Sequence, residues 1–341
     1  MCTHFLSNKY FVTDASLIFL SPSRSFSRFP FSPVTFNPVS RSLKAHILLV
    51  FVTFVWGATF VVIKDALSLV TPLLFNAVRM VISAALLAVI FRREFARMTR
   101  GAVLSGIVIG TFLWAGYEFQ TAGLQLTTPS KSAFLTGISV VLVPVLLALF
   151  WRRHVNRWTL MGVIAAFIGL YLMTVPAGGA GMSLDGINTG DLMTLGCAVM
   201  FAFQIIFVGR ATQRFPYGQI VAVQLITCAV WMVISVPVLE RSAHITWNVQ
   251  VLWALGVTAL LGTVVAFAVQ GWAQQFTPPT HTALIFSLEP VFAGVTSYVV
   301  LGERLGWRGG VGAILILAGV LVSELLGTVQ HPESELAEEA R

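Results

Sequence analysis

The sequence predicts an all-α integral membrane protein with ten transmembrane helices, arranged as two inverted repeats of five helices. Hydrophobic residues make up 57% of the 341 residues and charged residues only 10%, which is too few charges to cover the surface of a soluble protein of this size. Apolar stretches of about 18 residues or more recur between residues 45 and 327, and each can cross a hydrocarbon core of about 30 Å. The third observation is an internal repeat.

The repeat relates the two halves of the chain at a constant offset of 150 residues. Its aligned pairs include Gln120 with Gln270, Pro129 with Pro279, Gly162 with Gly312 and Gly169 with Gly319. A weaker match at an offset of 145 residues relates Trp56 to Phe201 and Arg79 to Gln224. Duplication of this size in an apolar chain is typical of transporters that are built from repeats.

Residues 1–42 differ from the rest of the chain, because they are rich in Ser, Phe, Pro and Arg. Four prolines exclude a continuous helix in this stretch, namely Pro22, Pro30, Pro33 and Pro38. We expect either a disordered cytoplasmic tail or an extension upstream of the true start of translation; a transit peptide is the third alternative.

Ten apolar stretches follow, and they predict helices rather than the strands of a barrel because they are continuously apolar instead of alternating. Their predicted limits are 45–63, 72–91, 102–121, 130–150 and 158–175 in the first half, then 190–209, 217–238, 250–271, 280–300 and 309–327 in the second. The predicted domains are a first repeat at 43–175, a Gly-rich linker at 176–191, a second repeat at 192–327 and an acidic tail at 328–341.

The distribution of Lys and Arg predicts that both chain termini are cytoplasmic. With this orientation nine basic residues lie in the inner loops and four in the outer loops. The inner set is Arg92, Arg93, Arg97, Arg100, Arg152, Arg153, Arg157, Arg210 and Arg214, and the outer set is Lys64, Arg241, Arg304 and Arg308. Because each half has an odd number of helices, the second repeat is inverted relative to the first.

Short motifs lie at the ends and centres of the predicted helices. They are Trp56-Gly57-Ala58-Thr59-Phe60, Phe75-Asn76-Ala77-Val78-Arg79, Gly190-Asp191, Glu289-Pro290 and Leu301-Gly302-Glu303-Arg304. Over residues 43–327 the chain resembles the drug/metabolite transporter superfamily, in particular its EamA-type carriers of ten helices. The first repeat departs from the pattern, with Ser139-Val140 in place of Glu289-Pro290 and Arg152-Arg153 in place of Gly302-Glu303. The resemblance implies a secondary carrier, often an exporter, in a bacterial-type inner (plasma) membrane.

Polar and charged side chains inside apolar spans are costly in lipid, and such residues mark candidate substrate or proton pathways. Aromatic residues in the same spans either pack against lipid and other helices or line a substrate site. The candidates are Trp56, Arg79, Tyr117, Gln120, Lys131, Ser139, Gln270, His281, Thr282 and Glu289. Arg79 is predicted either to pair with an acid such as Glu118 or to contact the substrate.

Glu289 is the predicted ionisable centre of transport, because it lies near the middle of the ninth span. Thr282 and Thr296 lie seven residues to either side and share its helix face. Pro290 cannot donate a backbone hydrogen bond to Phe286, which predicts a bend at this depth. The alternative is that Glu289 is a packing residue bonded to hydroxyl groups or to Arg79.

Lys131 and His281 occupy equivalent positions at the starts of the fourth and ninth spans. Because helix N-termini carry partial positive charge, a cation there strengthens the attraction for a substrate carboxylate. The two residues are therefore candidate gates, at the outer and inner surface respectively. The alternative is that Lys131 extends to lipid headgroups and His281 caps a loop.

These observations predict a secondary transporter that works by alternating access. An uncharged or zwitterionic solute, such as an amino acid, suits a lumen with few charges and several amides. The alternatives are a multidrug-type exporter of amphipathic compounds, a channel and an intramembrane enzyme. We expect no cofactor and no catalytic activity, since no metal-binding or nucleophile–base spacing is present. The net charge of +7 comes from short clusters between apolar stretches, which excludes nucleic acid as a partner. The expected partners are the bilayer, a small-molecule substrate and protons, with the chain a monomer or a homodimer.

Overall fold

The computed structural model describes residues 38–95, 97–126, 135–174, 188–302 and 306–327. The chain in these ranges is helical, and an isolated antiparallel β-bridge joins Val70 to Ile245. The predicted N-terminal tail up to residue 37, most of the predicted linker (residues 176–187) and the acidic tail from residue 328 lie outside the described residues. Pro38 begins the first helix, inside the stretch predicted as a tail, because proline is accommodated in the first turn of a helix.

The helices of the first half are α1 (Pro38–Ala66), α2 (Pro72–Ile90), the short α3 (Arg92–Phe95), α4 (Arg100–Leu126), α5 (Ser139–Trp151) and α6 (Arg157–Thr174). Those of the second half are α7 (Thr189–Thr212), α8 (Tyr217–Leu239), α9 (Val249–Ala259), α10 (Ala266–Ala273), α11 (Pro279–Phe286), α12 (Glu289–Leu301) and α13 (Trp307–Gly327). A π-helical segment, Leu260–Val265, joins α9 to α10.

Among the described residues, seven helical segments are long and apolar enough to cross a membrane. They are Arg41–Thr59, Pro72–Ile90, Arg100–Gly123, Thr189–Thr212, Tyr217–Leu239, Val249–Ala273 and Pro279–Val300. Three shorter apolar helices, Leu135–Trp151, Arg157–Met173 and Trp307–Ser323, coincide with the remaining predicted spans. Large apolar side chains such as Leu149, Trp253 and Trp307 are exposed, as expected of a surface that faces lipid. The protein is an integral membrane protein.

Helix contacts occur in pairs in which the two halves exchange places. Helix α4 of the first half packs against α7 of the second half, and α10 of the second half packs against α1 of the first half. Likewise α5 packs against α7, and α12 against α1. Helix α4 also packs against α8, and α9 against α2. Each contact thus has a counterpart with the roles of the halves reversed.

The most extensive contact joins α6 to α13. A Cβ atom added to Gly162 would lie 2.5 Å from the carbonyl oxygen of Gly319, and one added to Gly169 would lie 2.5 Å from that of Gly312. Glycine is therefore what allows the two backbones to approach this closely. The lower-numbered residue of α6 meets the higher-numbered residue of α13, so the two helices run antiparallel.

Candidate functional site

Two helices are interrupted at equivalent positions of the repeat. In the second half, a turn at Ser287 and Leu288 separates α11 from α12, beside Pro290 where a bend is predicted. In the first half, a turn at Ile138 precedes α5. The backbone N–H of Leu288 donates to Ile285 (3.0 Å), and that of Ile138 donates to Leu135 (3.2 Å). Discontinuous membrane helices commonly form the substrate and ion sites of transporters.

Glu289 and Ser139 follow these two breaks directly and are equivalent in the repeat. Glu289 lies within the bundle, and its side chain is partly buried. Helix α1 approaches its backbone closely, because a Cβ atom added to Gly57 would lie 2.8 Å from the Glu289 carbonyl oxygen. Among the described residues the Glu289 carboxylate has no hydrogen-bond partner.

Arg79 lies against the ring of Tyr117. The guanidinium carbon is 5.2 Å from the centre of the Tyr117 ring, within the range of a cation–π interaction. Arg79 is only 6% exposed, and its Nε has no hydrogen-bond partner in the part of the chain that is described. The site therefore holds a buried guanidinium against a phenol ring, and Glu289 is the second ionisable candidate.

Glu118 does not pair with Arg79, although the sequence made it a candidate partner. One carboxylate oxygen accepts hydrogen bonds from the Ser235 hydroxyl (2.6 Å) and from the Trp114 indole (3.2 Å). The other oxygen has no partner within the described ranges. Adjacent residues on a helix point in different directions, which is why Tyr117 reaches Arg79 while Glu118 turns towards α8.

Aromatic rings line the same region. Trp56 makes an edge contact with Phe286, with ring centres 4.9 Å apart, and Tyr117 makes one with Phe201 at 5.5 Å. The Trp56 indole N–H donates to the carbonyl oxygen of Gly262 at 2.8 Å. Gly262 lies in the π-helical segment, where the altered bonding pattern leaves carbonyl groups available to other donors. Trp56 is thus fixed in position by a bond between the two halves.

A chain of glutamine side chains crosses three helices beside these rings. Gln270 donates to Gln204 (3.2 Å) and to Gln274 (3.0 Å), and Gln204 donates to Gln224 (3.4 Å). Gln270 is 1% exposed, and its carbonyl oxygen has no partner among the described residues. The sequence predicted Gln270 as a site residue. It showed Gln204 and Gln224 as amide side chains on neighbouring spans, but it did not predict that they bind to each other and to Gln270.

The remaining candidates are spread along the bundle. His281 lies with its Nε2 3.4 Å from the Thr159 hydroxyl and with its ring 6.4 Å from that of His46. Thr282 is fully buried and donates to the Pro278 carbonyl oxygen of its own helix, and Gln120 is partly buried. Lys131, Glu303 and Arg304 lie outside the described residues. Of the two predicted gate residues, the structure therefore describes His281 and not Lys131.

Comparisons with known proteins agree with this architecture. The sequence profile of the EamA-like transporter family matches residues 43–175 and 188–325. An uncharacterized transporter of Archaeoglobus fulgidus is 31% identical, over 84% of this chain and 87% of that protein. A probable amino-acid metabolite efflux pump of Salmonella typhimurium is 25% identical, over 83% and 95%.

An S-adenosylmethionine/S-adenosylhomocysteine transporter of Chlamydia muridarum is 24% identical, over 75% of this chain and 84% of that protein. A crystal structure of another protein superposes with a TM-score of 0.71, over 85% of this chain and 98% of the other, at 18% sequence identity. This last similarity shows a shared fold.

Proposed function

The chain belongs to the EamA-like transporter family, and we propose that this multi-pass membrane transporter exports a small zwitterionic or uncharged solute by alternating access. The observation that carries the proposal is the pair of helix breaks at Ile138 and Leu288, with Glu289 beside one of them. A channel would instead present a ring of equivalent filter residues. Saturable exchange of solute between loaded and empty proteoliposomes tests a carrier against a channel.

We propose that the chain crosses the membrane ten times, as two inverted repeats of five helices. The exchanged helix contacts support this arrangement. So does the glycine contact, because the repeat equates α6 with α13 and these helices run antiparallel. Equivalent helices that point in opposite directions are what an inverted repeat requires. The proposed location is a bacterial-type plasma membrane with both termini in the cytoplasm.

Labelling of single cysteines tests the topology. In a background without Cys2, Cys197 and Cys228, we expect Arg157→Cys to react with an impermeant thiol reagent only from the cytoplasmic side. We expect Arg304→Cys to react only from the outside. The two residues lie in equivalent loops of the two repeats, and inversion places equivalent loops on opposite sides of the membrane. Reaction of both from the same side would contradict the inverted arrangement.

The charges around Tyr117 favour a zwitterion. In this proposal Arg79 binds the carboxylate of the solute, because its guanidinium is buried without an anionic partner among the described residues, and an unpaired buried charge is costly. Glu289 binds the ammonium group or a proton. The Salmonella relative, named as an amino-acid metabolite efflux pump, supports amino acids as the first class to screen. The aromatic rings of Trp56, Phe201 and Phe286 favour a second candidate function, the export of amphipathic drug-like compounds.

Substitution of Arg79 tests the carboxylate contact. We expect Arg79→Gln to weaken apparent affinity for a transported amino acid by about 10- to 100-fold, since a hydrogen bond to a charged group contributes about 1.5–3 kcal/mol. The Arg79→Lys variant keeps the charge and should lose less. Affinity for the matching amine, which lacks the carboxylate, should be the same in all three proteins when measured by competition. An equal loss for the amine and the amino acid would contradict a carboxylate contact.

A further inference from the structure

Helices α2 and α8, one from each half, pack against each other along their length. They are fastened at both ends by a reciprocal arrangement. At each end, the segment that follows one helix binds the first turn of the other helix. We call the two places the Glu240 end and the Gln219 end after the residues that make the contacts.

At the Glu240 end, the residue that follows α8 caps the start of α2. The Glu240 carboxylate accepts hydrogen bonds from the Thr71 hydroxyl (2.7 Å) and from the backbone N–H groups of Leu73 (3.2 Å) and Leu74 (3.0 Å). The first N–H groups of a helix lack partners within the helix and carry partial positive charge, so a carboxylate is a favourable cap. The β-bridge between Val70 and Ile245 extends this attachment.

At the Gln219 end, the segment that follows α2 holds the start of α8. The side-chain amide of Gln219 donates to the carbonyl oxygens of Glu94 (3.2 Å) and Arg97 (3.4 Å). The Glu94 carboxylate lies against this first turn, because a Cβ atom added to Gly218 would lie 2.6 Å from its Oε1 atom. Burial raises the pKa of Glu94, and the nearby backbone N–H of Gln219 partly offsets this effect. Phe91 and Tyr217 add an edge contact, with ring centres 5.8 Å apart.

The two ends correspond to each other in the repeat. Glu94 and Glu240 are separated by 146 residues, within one residue of the offset that relates the first two helices of each half. Each glutamate accepts hydrogen bonds from the first turn of a helix in the other half, Glu240 through its carboxylate and Glu94 through its backbone carbonyl oxygen. Since α2 and α8 run antiparallel, the two attachments lie at opposite ends of the pair.

From this geometry we propose that α2 and α8 form one rigid pair, clamped at both ends, which stays together while other helices rearrange during transport. This proposal rests on the alternating-access function proposed above. Arg79 on α2 and Gln224 on α8 are then fixed relative to each other, and the second helices form a frame against which the interrupted helices move.

Cross-linking tests whether the ends separate. The pair Val70→Cys/Ile245→Cys replaces residues opposed in an antiparallel bridge, where Cα atoms are about 4.5–5.5 Å apart, which is suitable for a disulfide. The pair Phe91→Cys/Tyr217→Cys is joined by a short bifunctional thiol reagent. Both are made without the three native cysteines. Exchange of a mixture of radiolabelled amino acids in proteoliposomes is measured before and after cross-linking.

We expect both cross-linked pairs to keep at least half of the exchange activity of the reduced protein. The reference pair Phe54→Cys/Phe292→Cys replaces two rings whose centres are 5.5 Å apart and joins α1 to α12, outside the clamp; its cross-link should block exchange. Loss of activity on cross-linking either end of the α2–α8 pair overturns the proposal.

Thermal unfolding in detergent tests the clamp without any substrate. Glu240→Gln and Gln219→Met should each lower the unfolding midpoint, and the Val70–Ile245 disulfide should restore the midpoint of Glu240→Gln. Midpoints unchanged from wild type in both variants overturn the clamp. If the reduced proteins exchange no amino acid but unfold as expected, the proposed function fails while the clamp stands.

Discussion

Replacement of Glu289 by glutamine is expected either to abolish transport or to make the remaining transport independent of pH. Glutamine keeps the size of the side chain and much of its hydrogen bonding, but it cannot bind or release a proton. Glu289 directly follows a helix break, and its carboxylate has no hydrogen-bond partner among the described residues. Uptake into proteoliposomes is measured between pH 5 and 9, with protein levels in the membrane checked in parallel.

The matched control is Glu118→Gln, which removes another carboxylate that is buried in the bundle. Its carboxylate accepts from Ser235 and Trp114 on the α8 side of α4, away from the breaks, so we expect this variant to keep its pH dependence. Wild-type rates with unchanged pH dependence in Glu289→Gln would refute the proposed role of Glu289.

Replacement of Gly169 by alanine is expected to give the largest loss of stability. The new Cβ would lie 2.5 Å from the Gly312 carbonyl oxygen and 3.0 Å from the backbone nitrogen of Ile316, so two helix backbones must move apart. Forcing extra volume into a packed interior costs about 1–3 kcal/mol. The midpoint of thermal unfolding in detergent, together with the yield of monodisperse protein, measures this cost.

Gly310→Ala is the matched control, because it lies on α13 two residues before Gly312. A Cβ atom there would meet nothing within 4 Å. Alanine is favoured over glycine within a helix by about 1 kcal/mol, so this variant should unfold at the wild-type temperature or slightly above it. Equal stability of the Gly169 and Gly310 variants would show that the close approach of α6 and α13 is not required.

The apolar stretches predicted the membrane helices well, because length and hydropathy are local properties of the sequence. The repeat equated Gly162 with Gly312 and Gly169 with Gly319. The same four glycines form the contact between α6 and α13, in which Gly162 meets Gly319 and Gly169 meets Gly312. The bend in the ninth span was predictable from Pro290, because proline has no backbone N–H to donate within the helix.

Features that depend on contacts between distant helices were not predictable in this way. The break at Ile138 has no proline beside it, since Val140 stands where the second half has Pro290. The partner of Glu118 was missed because Ser235 lies 117 residues away. The hydrogen bond from the Trp56 indole to the Gly262 carbonyl oxygen of the π-helical segment was not predictable either, because donor and acceptor come from different halves of the chain.

The glycine contact between α6 and α13 has the form of an interface between two identical subunits. In such an interface residue i of one subunit meets residue j of the other, and j of the first meets i of the second. The same relation holds within this chain when the two repeats are treated as the two subunits. Gly162 and its equivalent Gly312 take the place of residue i, and Gly169 and its equivalent Gly319 take the place of residue j. Gly162 then meets Gly319, and Gly169 meets Gly312. A self-complementary surface of this kind pairs the halves through their own packing. The covalent connection between them is therefore free to vary in length and composition, whereas the spacing between the two glycines of each helix is not.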